Sequence, residues 1–179
     1  MERMFRHLKE DEIEVKVKQV KEAGCVLLLY KTARTDMDIL DETVGPMNWM
    51  DDYKEIKGNL YCGIALRFKQ ADIVSEWIWK WDCGIESRSD GEGNEKKGEA
   101  SDSFKRAGFR WGIGRELYTS PFIWIPYDKV NIINRNGKYA TYDKFSVEKI
   151  AYDDSGDISG LAIRNDRTGK RCFVWQKQT

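Results

Sequence analysis

"LKEDEIEVKVKQVKEAG", residues 8–24, has two readings, and the fold class turns on the choice between them. Ile13, Val15 and Val17 alternate with charged residues, which is the period of a half-buried strand. Ile13, Val17 and Val20 are instead spaced like one face of a helix. Asp11 followed by Glu14 has the form of a capping box, and Gly24 is a residue that ends helices. The cap signals decide for a helix.

On its C-terminal side "CVLLLY" (25–30) is short and wholly apolar, which suits a buried strand. "TARTDMDILDETVGPMNW" (32–49) predicts a helix. Thr35 caps its start, Asp36 and Asp38 suit the first turn, and Met37, Leu40 and Val44 form one face before Gly45-Pro46 stops it. "MDDYKEI", "LYCGIALRFK" and "DIVSEWIWKWDCG" are rich in aromatic and β-branched residues. Joined by "KGN" and "QA", they predict a three-stranded antiparallel meander. "IESRSDGEGNEKKGE" (85–99) is glycine-rich and polar, as in a mobile loop. "FIWIPYD" (122–128) is extended, and Pro126 argues for a sheet edge. The tail, with turns at "RNGK", "DDSGD" and "DRTGK", predicts hairpins.

The expected architecture is therefore α+β: an antiparallel β-β-β-α core, with the meander packed on a long helix, N-terminal helices and C-terminal β-hairpins. Residues 1–128 are expected to form the core and 129–179 a hairpin extension packed on it.

Composition narrows the function classes. In 179 residues, 34% are charged and 12% aromatic, too apolar for a disordered chain and too charged for a membrane protein. "MERMFRHLKEDE" has no apolar leader, so a cytoplasmic location is expected. Cys25, Cys62, Cys83 and Cys172 are far apart, with no CxxC, and read as buried free thiols. His7 is the only histidine, in a terminus expected to fray, which disfavours Ser-His and Cys-His chemistry and His-rich metal sites. No cofactor or metal is expected. Thirty basic residues balance thirty acidic ones, so any affinity for nucleic acid has to come from clustering.

One cluster stands out. "KGEASDSFKRAGFRWGIGRELY" (97–118) predicts a helix whose apolar face carries Ala100, Phe104, Ala107 and Trp111, with Phe109 opposite. Lys105 flanks that face on one side, and Arg106 and Arg110, four apart, flank it on the other. Glu99, Asp102 and Arg106 can pair in helical steps. An ordinary amphipathic helix with a solvated charged face accounts for this pattern. So does a phosphate-binding helix, and the residues alone leave both open.

The same stretch resembles the most recognisable motif of the Rad-fifty-two/Sak single-strand annealing proteins, especially their phage and bacterial members. There, an acidic-small helix runs into Lys-Arg-Ala and ends at an aromatic-Gly. "YKTARTDMDILDETVGPMNW" (30–49) resembles the earlier signature of that family, a Tyr before a basic turn, then a helix, a Gly and a Trp. The resemblance covers roughly residues 8–128. It implies a non-enzymatic protein that forms a homo-oligomeric ring or filament, binds single-stranded DNA in a basic outer groove, and anneals complementary strands in recombination or repair. Lys105 and Arg106 match the groove-lining basic pair, and Arg34 matches, or neighbours, the basic residue before the earlier helix. Arg110 lies one position from a third basic residue of eukaryotic members, and Lys97 and Arg115 are additions from the loop and the second short helix. A single-strand-binding protein or a recombinase is the further partner the resemblance admits.

Two rival classes fit the residues. Asp36, Asp38, Asp41, Asp51, Asp52, Asp82, Glu95, Glu99 and Asp102 are carboxylates enough for a two-metal nuclease. Helix-start and strand-end roles account for several of them, and no GxxxxGKS phosphate loop is present. The other rival is a sequence-neutral OB-type single-strand binder. Trp77, Trp79 and Trp81 share one strand face, and burial in a core or subunit interface is the commoner use of such residues than a stacking platform.

Overall fold

The computed structural model describes residues 3–70, 73–85 and 95–178. In chain order the elements are β1 (Glu14–Lys21), β2 (Gly24–Tyr30), α1 (Ala33–Val44), β3 (Trp49–Ile56), β4 (Asn59–Leu66), β5 (Lys69–Gln70), β6 (Ile73–Val74) and β7 (Ile78–Cys83). There follow α2 (Glu95–Trp111), β8 (Ile123–Pro126), β9 (Ile133–Arg135), β10 (Lys138–Ala140), β11 (Phe145–Tyr152), β12 (Ile158–Asn165) and β13 (Lys170–Gln176). The chain divides into two compact units, Met1–Arg6 with Thr32–Gly114, and His7–Lys31 with Arg115–Thr179.

The stretch that decides the fold is a strand, not a helix. β1 pairs antiparallel with β2 and is preceded by a single 3-10 turn at Glu10–Glu12, where Glu12 accepts the N–H of Lys9 at 2.7 Å. The helical spacing has a physical origin in a β-bulge between Val17 and Gln19. One extra residue there lets Val15, Val17 and Val20 turn to the same half-buried side, so a strand imitates a helical step. Gly24 is no helix cap either. It pairs with Pro126, and a Cβ at that position would sit 2.2 Å from the Ile125 carbonyl oxygen, so only glycine admits β8 this closely.

In this second unit the six strands run in the order β13-β12-β11-β1-β2-β8, every neighbouring pair antiparallel. The end strands β8 and β13 lie against one another, so the sheet nearly closes into a barrel. Cys25, Leu27, Ile123, Ile125, Leu161 and Ile163 are among its buried side chains. Burial pushes the thiols of Cys25 and Cys172 up to about 11. His7 is not frayed: it stacks on Tyr152 with ring centroids 4.1 Å apart, and its Nδ1 lies 3.7 Å from the buried carboxylate of Glu116.

These findings overturn the expected α+β class. The chain is mostly β, α-helix among the described residues is confined to α1 and α2, and the largest element is the nearly closed six-stranded sheet. The N-terminal segment read as a helix is one of its strands. Strands β11–β13 are not an appended hairpin extension, since β11 pairs directly with β1. The division of the chain follows that pairing and does not fall at residue 128.

In the first unit, β3, β4 and β7 form an antiparallel sheet in that order, with α2 against β4 and β7 and α1 against α2 and β3. The apolar face of α2 buries Phe104 and Ala107 over Cys62, Ile64 and Leu66. Trp111 donates its indole N–H to the Ile64 carbonyl at 2.9 Å. α1 is capped three residues earlier than expected, by Thr32, which accepts the Thr35 N–H at 3.1 Å, and Gly45 ends it at φ +83°. The loop read across 85–99 lies outside the described residues over 86–94, and the chain is helical from Glu95. No helix among the described residues is long and apolar enough to cross a membrane.

Candidate nucleic-acid interface

β7 organises the site because its alternation sorts two chemistries. Cross-strand pairing places Lys80 opposite Ile64 and Asp82 opposite Cys62, on the face that α2 covers. Trp79 and Trp81 pair with Ala65 and Gly63 and therefore point to the other face. β7 is an edge strand, so both sets lie at one flank of the three-stranded sheet.

On the α2 side, the four-residue step of Arg106 and Arg110 brings both guanidinium groups to one carboxylate. Arg110 Nε donates to Asp82 Oδ2 at 3.0 Å, and Arg106 Nε lies 3.5 Å from Oδ1. The Cys83 N–H donates to Asp82 Oδ1 at 2.8 Å. Partial burial opposes ionisation of Asp82, but the Cys83 N–H, the Arg110 hydrogen bond and the two positive charges outweigh it, and the carboxyl is held below its usual range. Lys80 donates from Nζ to the Arg110 carbonyl at 3.1 Å, near the C-terminal end of α2 where cations are favoured, and lies 4.1 Å from the Trp111 ring centroid. One carboxylate thus serves two arginines, with a lysine beside them.

The expected helical pairing of Glu99 and Asp102 with Arg106 is replaced. Glu99 accepts the N–H of Leu60 and Asp102 that of Ile85, both at 2.9 Å, so these acids tie α2 to the strand ends. Gly84 allows that close approach, because a Cβ there would lie 2.3 Å from the Glu99 carbonyl oxygen.

Of the six residues singled out in the sequence, Arg106 and Arg110 are brought together by Asp82. Lys105, half-buried, is their neighbour on α2. Lys97 is exposed at the start of the same helix, about 20 Å from Arg110 along its axis at 1.5 Å per residue. Arg34 is exposed on α1, with no ion pair to the α2 row among the described residues. Arg115 is exposed and opens the 3-10 turn Arg115–Thr119, which belongs to the second unit. Lys80 and the organising role of Asp82 were missed, although strict alternation along "WIWKWD" carries the signal for both.

The carboxylates that a nuclease needs are spread apart. Asp36 is buried in α1, Asp41 accepts the Trp49 indole N–H at 2.6 Å, and Asp51 and Asp52 occupy opposite faces of β3. Among the described residues, no group of three His, Cys, Asp or Glu side chains could hold a metal ion. Comparison with protein-family models, curated proteins and solved structures found no match.

Proposed function

We propose that the protein binds single-stranded DNA along the α2–β7 flank and, as a homo-oligomer, promotes annealing of complementary strands. The observation that carries this reading is the gathering of Arg106 and Arg110 at the carboxylate of Asp82, with Lys80 against the Arg110 carbonyl. A cation-rich flank of this kind holds phosphates, and it leaves base edges free to find a partner strand. The resemblance of residues 97–118 to the annealing family's motif supports the same role, since Lys105 and Arg106 of that motif belong to this helix.

A single patch of this size binds weakly. Repetition of the patch around an oligomer sums its affinity through effective concentration, which reconciles binding with a neutral overall charge. The reading carries with it a cytoplasmic location, a part in recombination or repair, and a single-strand-binding protein or recombinase as further partner.

The test is annealing of complementary labelled oligonucleotides by wild type and by Lys105→Ala/Arg106→Ala, both sized by light scattering. The variant is expected to keep its mass, lose annealing, and show a salt slope shallower by about 1.4, the loss of two phosphate contacts on a single strand. Unimpaired annealing by the variant, or none by wild type, sinks the reading.

A further inference from the structure

The opposite face of the same sheet carries a second feature that phosphate binding by α2 does not use. Trp79 and Trp81 are half-buried there and stack with centroids 5.3 Å apart and planes 20° apart. Trp81 lies flat against β4 because residue 63 is glycine: a Cβ on Gly63 would meet the indole at 2.5 Å. Trp79 pairs with Ala65 in the same ladder. Lys54 of β3 places its ammonium 4.1 Å from the Trp81 centroid, and beyond the ladder Arg67 sits 4.7 Å from the Trp77 ring. Arg67 is fixed by bonds to the Met47 carbonyl and the Asn48 side chain, whereas Lys54 is exposed. Asp52 is the one carboxylate that the three strands place on this face, and it accepts the N–H of Tyr53.

We infer that this face is a base-stacking platform for single-stranded nucleic acid, on which Trp79 and Trp81 take bases and Lys54 takes an adjoining phosphate. The inference rests on the single-strand reading proposed above. Three features favour this occupant over a purely apolar one. The stacked indoles offer a π surface that any base can use, the Lys54 ammonium stands over the Trp81 ring, and Gly63 lets Trp81 lie against β4. A base–indole stack is stronger than an exposed lysine–indole contact, so an incoming base displaces Lys54 from the ring, and the released ammonium pairs with that nucleotide's phosphate. A sequence-neutral stack of this kind suits a protein that must hold strands of any sequence.

The experiment compares binding of oligo-dT with that of an abasic oligomer of equal length, by anisotropy and by tryptophan emission, using the full chain. Wild type is expected to prefer oligo-dT by about tenfold and to be quenched by it far more than by the abasic strand. Trp79→Leu is expected to lower oligo-dT affinity to the abasic level while leaving abasic binding unchanged, and Trp79→Phe to restore part of the preference. Lys54→Met is expected to weaken oligo-dT binding by about two- to threefold and abasic binding less, because no base releases the ammonium there. Equal binding of both strands by wild type overturns the platform and leaves the phosphate reading standing, and that comparison requires no variant to fold. Loss of oligomer mass in Trp79→Leu also overturns it, since the face is then a contact between copies of the chain. Failure of both strands to bind overturns both readings.

Discussion

Asp82→Asn is the perturbation that separates a nucleic-acid flank from a merely structural ion-pair cluster. Both accounts contain the same contacts, but they predict opposite signs. In the structure Asp82 neutralises part of the charge of Arg106 and Arg110, and its carboxyl stays ionised well below neutral pH. Asparagine keeps the shape and can still accept the Cys83 N–H, but removes one negative charge from the centre of the flank. The Arg side chains are 38% and 57% exposed but Asp82 only 18%, so solvent screens the pairs in part and the stability cost is about 1–2 kcal/mol. Against that loss, one more phosphate can be neutralised. On a single strand each such contact steepens the salt slope by about 0.7, so affinity between 50 and 200 mM salt falls by about 2.6-fold more than in wild type. The assay is a salt titration of oligo-dT anisotropy on both proteins, with thermal melts as a folding control. Tighter binding at low salt with a steeper slope is expected of the variant. Weaker binding with a flatter slope refutes the reasoning, because it means that the two arginines need Asp82 for a packing role and do not face the strand.

Other parts of the structure make their own predictions. Gly63→Ala brings a methyl group to within 2.5 Å of the Trp81 ring, and the overpacking is expected to cost about 1–3 kcal/mol in chemical denaturation and to alter tryptophan emission. Thiol labelling of the native protein at pH 8 is expected to modify Cys83 first. Cys25 and Cys172 are buried and pushed up to about 11, and Cys62 to about 12, so their thiolates are scarce until unfolding releases them. Asp143 is buried, which opposes ionisation, but Arg167, the Asn131 N–H and Asn165 together hold its carboxyl below the usual range. A depressed carboxyl contributes stability above its unfolded value, about 3.9, and loses it as pH falls through the folded value. Melts from pH 6 down to pH 2 should therefore show an acid loss of stability that Asp143→Asn diminishes, the variant being less stable at neutral pH. An unchanged acid profile in that variant excludes Asp143 as its source.

Much of the local structure is legible in the chain. Gly45-Pro46 marks the end of α1 because a left-handed residue followed by proline cannot continue a helix. The apolar face of α2 is set by the spacing of Phe104, Ala107 and Trp111, and the alternation of "WIWKWD" already divides indoles from charges. Residues 97–118 draw attention as a basic helix from the sequence alone. The legible part fails where a pattern depends on its partner. The valines of β1 imitate a helical step only because a bulge inserts a residue, and a bulge exists only against β2. Likewise, Arg106 looks paired with Asp102 along the helix, yet Asp102 is drawn off by the Ile85 N–H and the arginine turns to Asp82.

What the sequence by itself determined is therefore short-range: turns, helix stops, apolar faces and the sorting of side chains across each strand, all of which depend on residues within a few positions. Tertiary structure decided which strands are neighbours. It joined β1 to β11, with Val15 paired to Phe145, closed β8 towards β13, and put one carboxylate between two arginines. Such pairings depend on backbone hydrogen bonds and packing between segments remote in sequence. No local period encodes them, and the chain can look helical where it is extended.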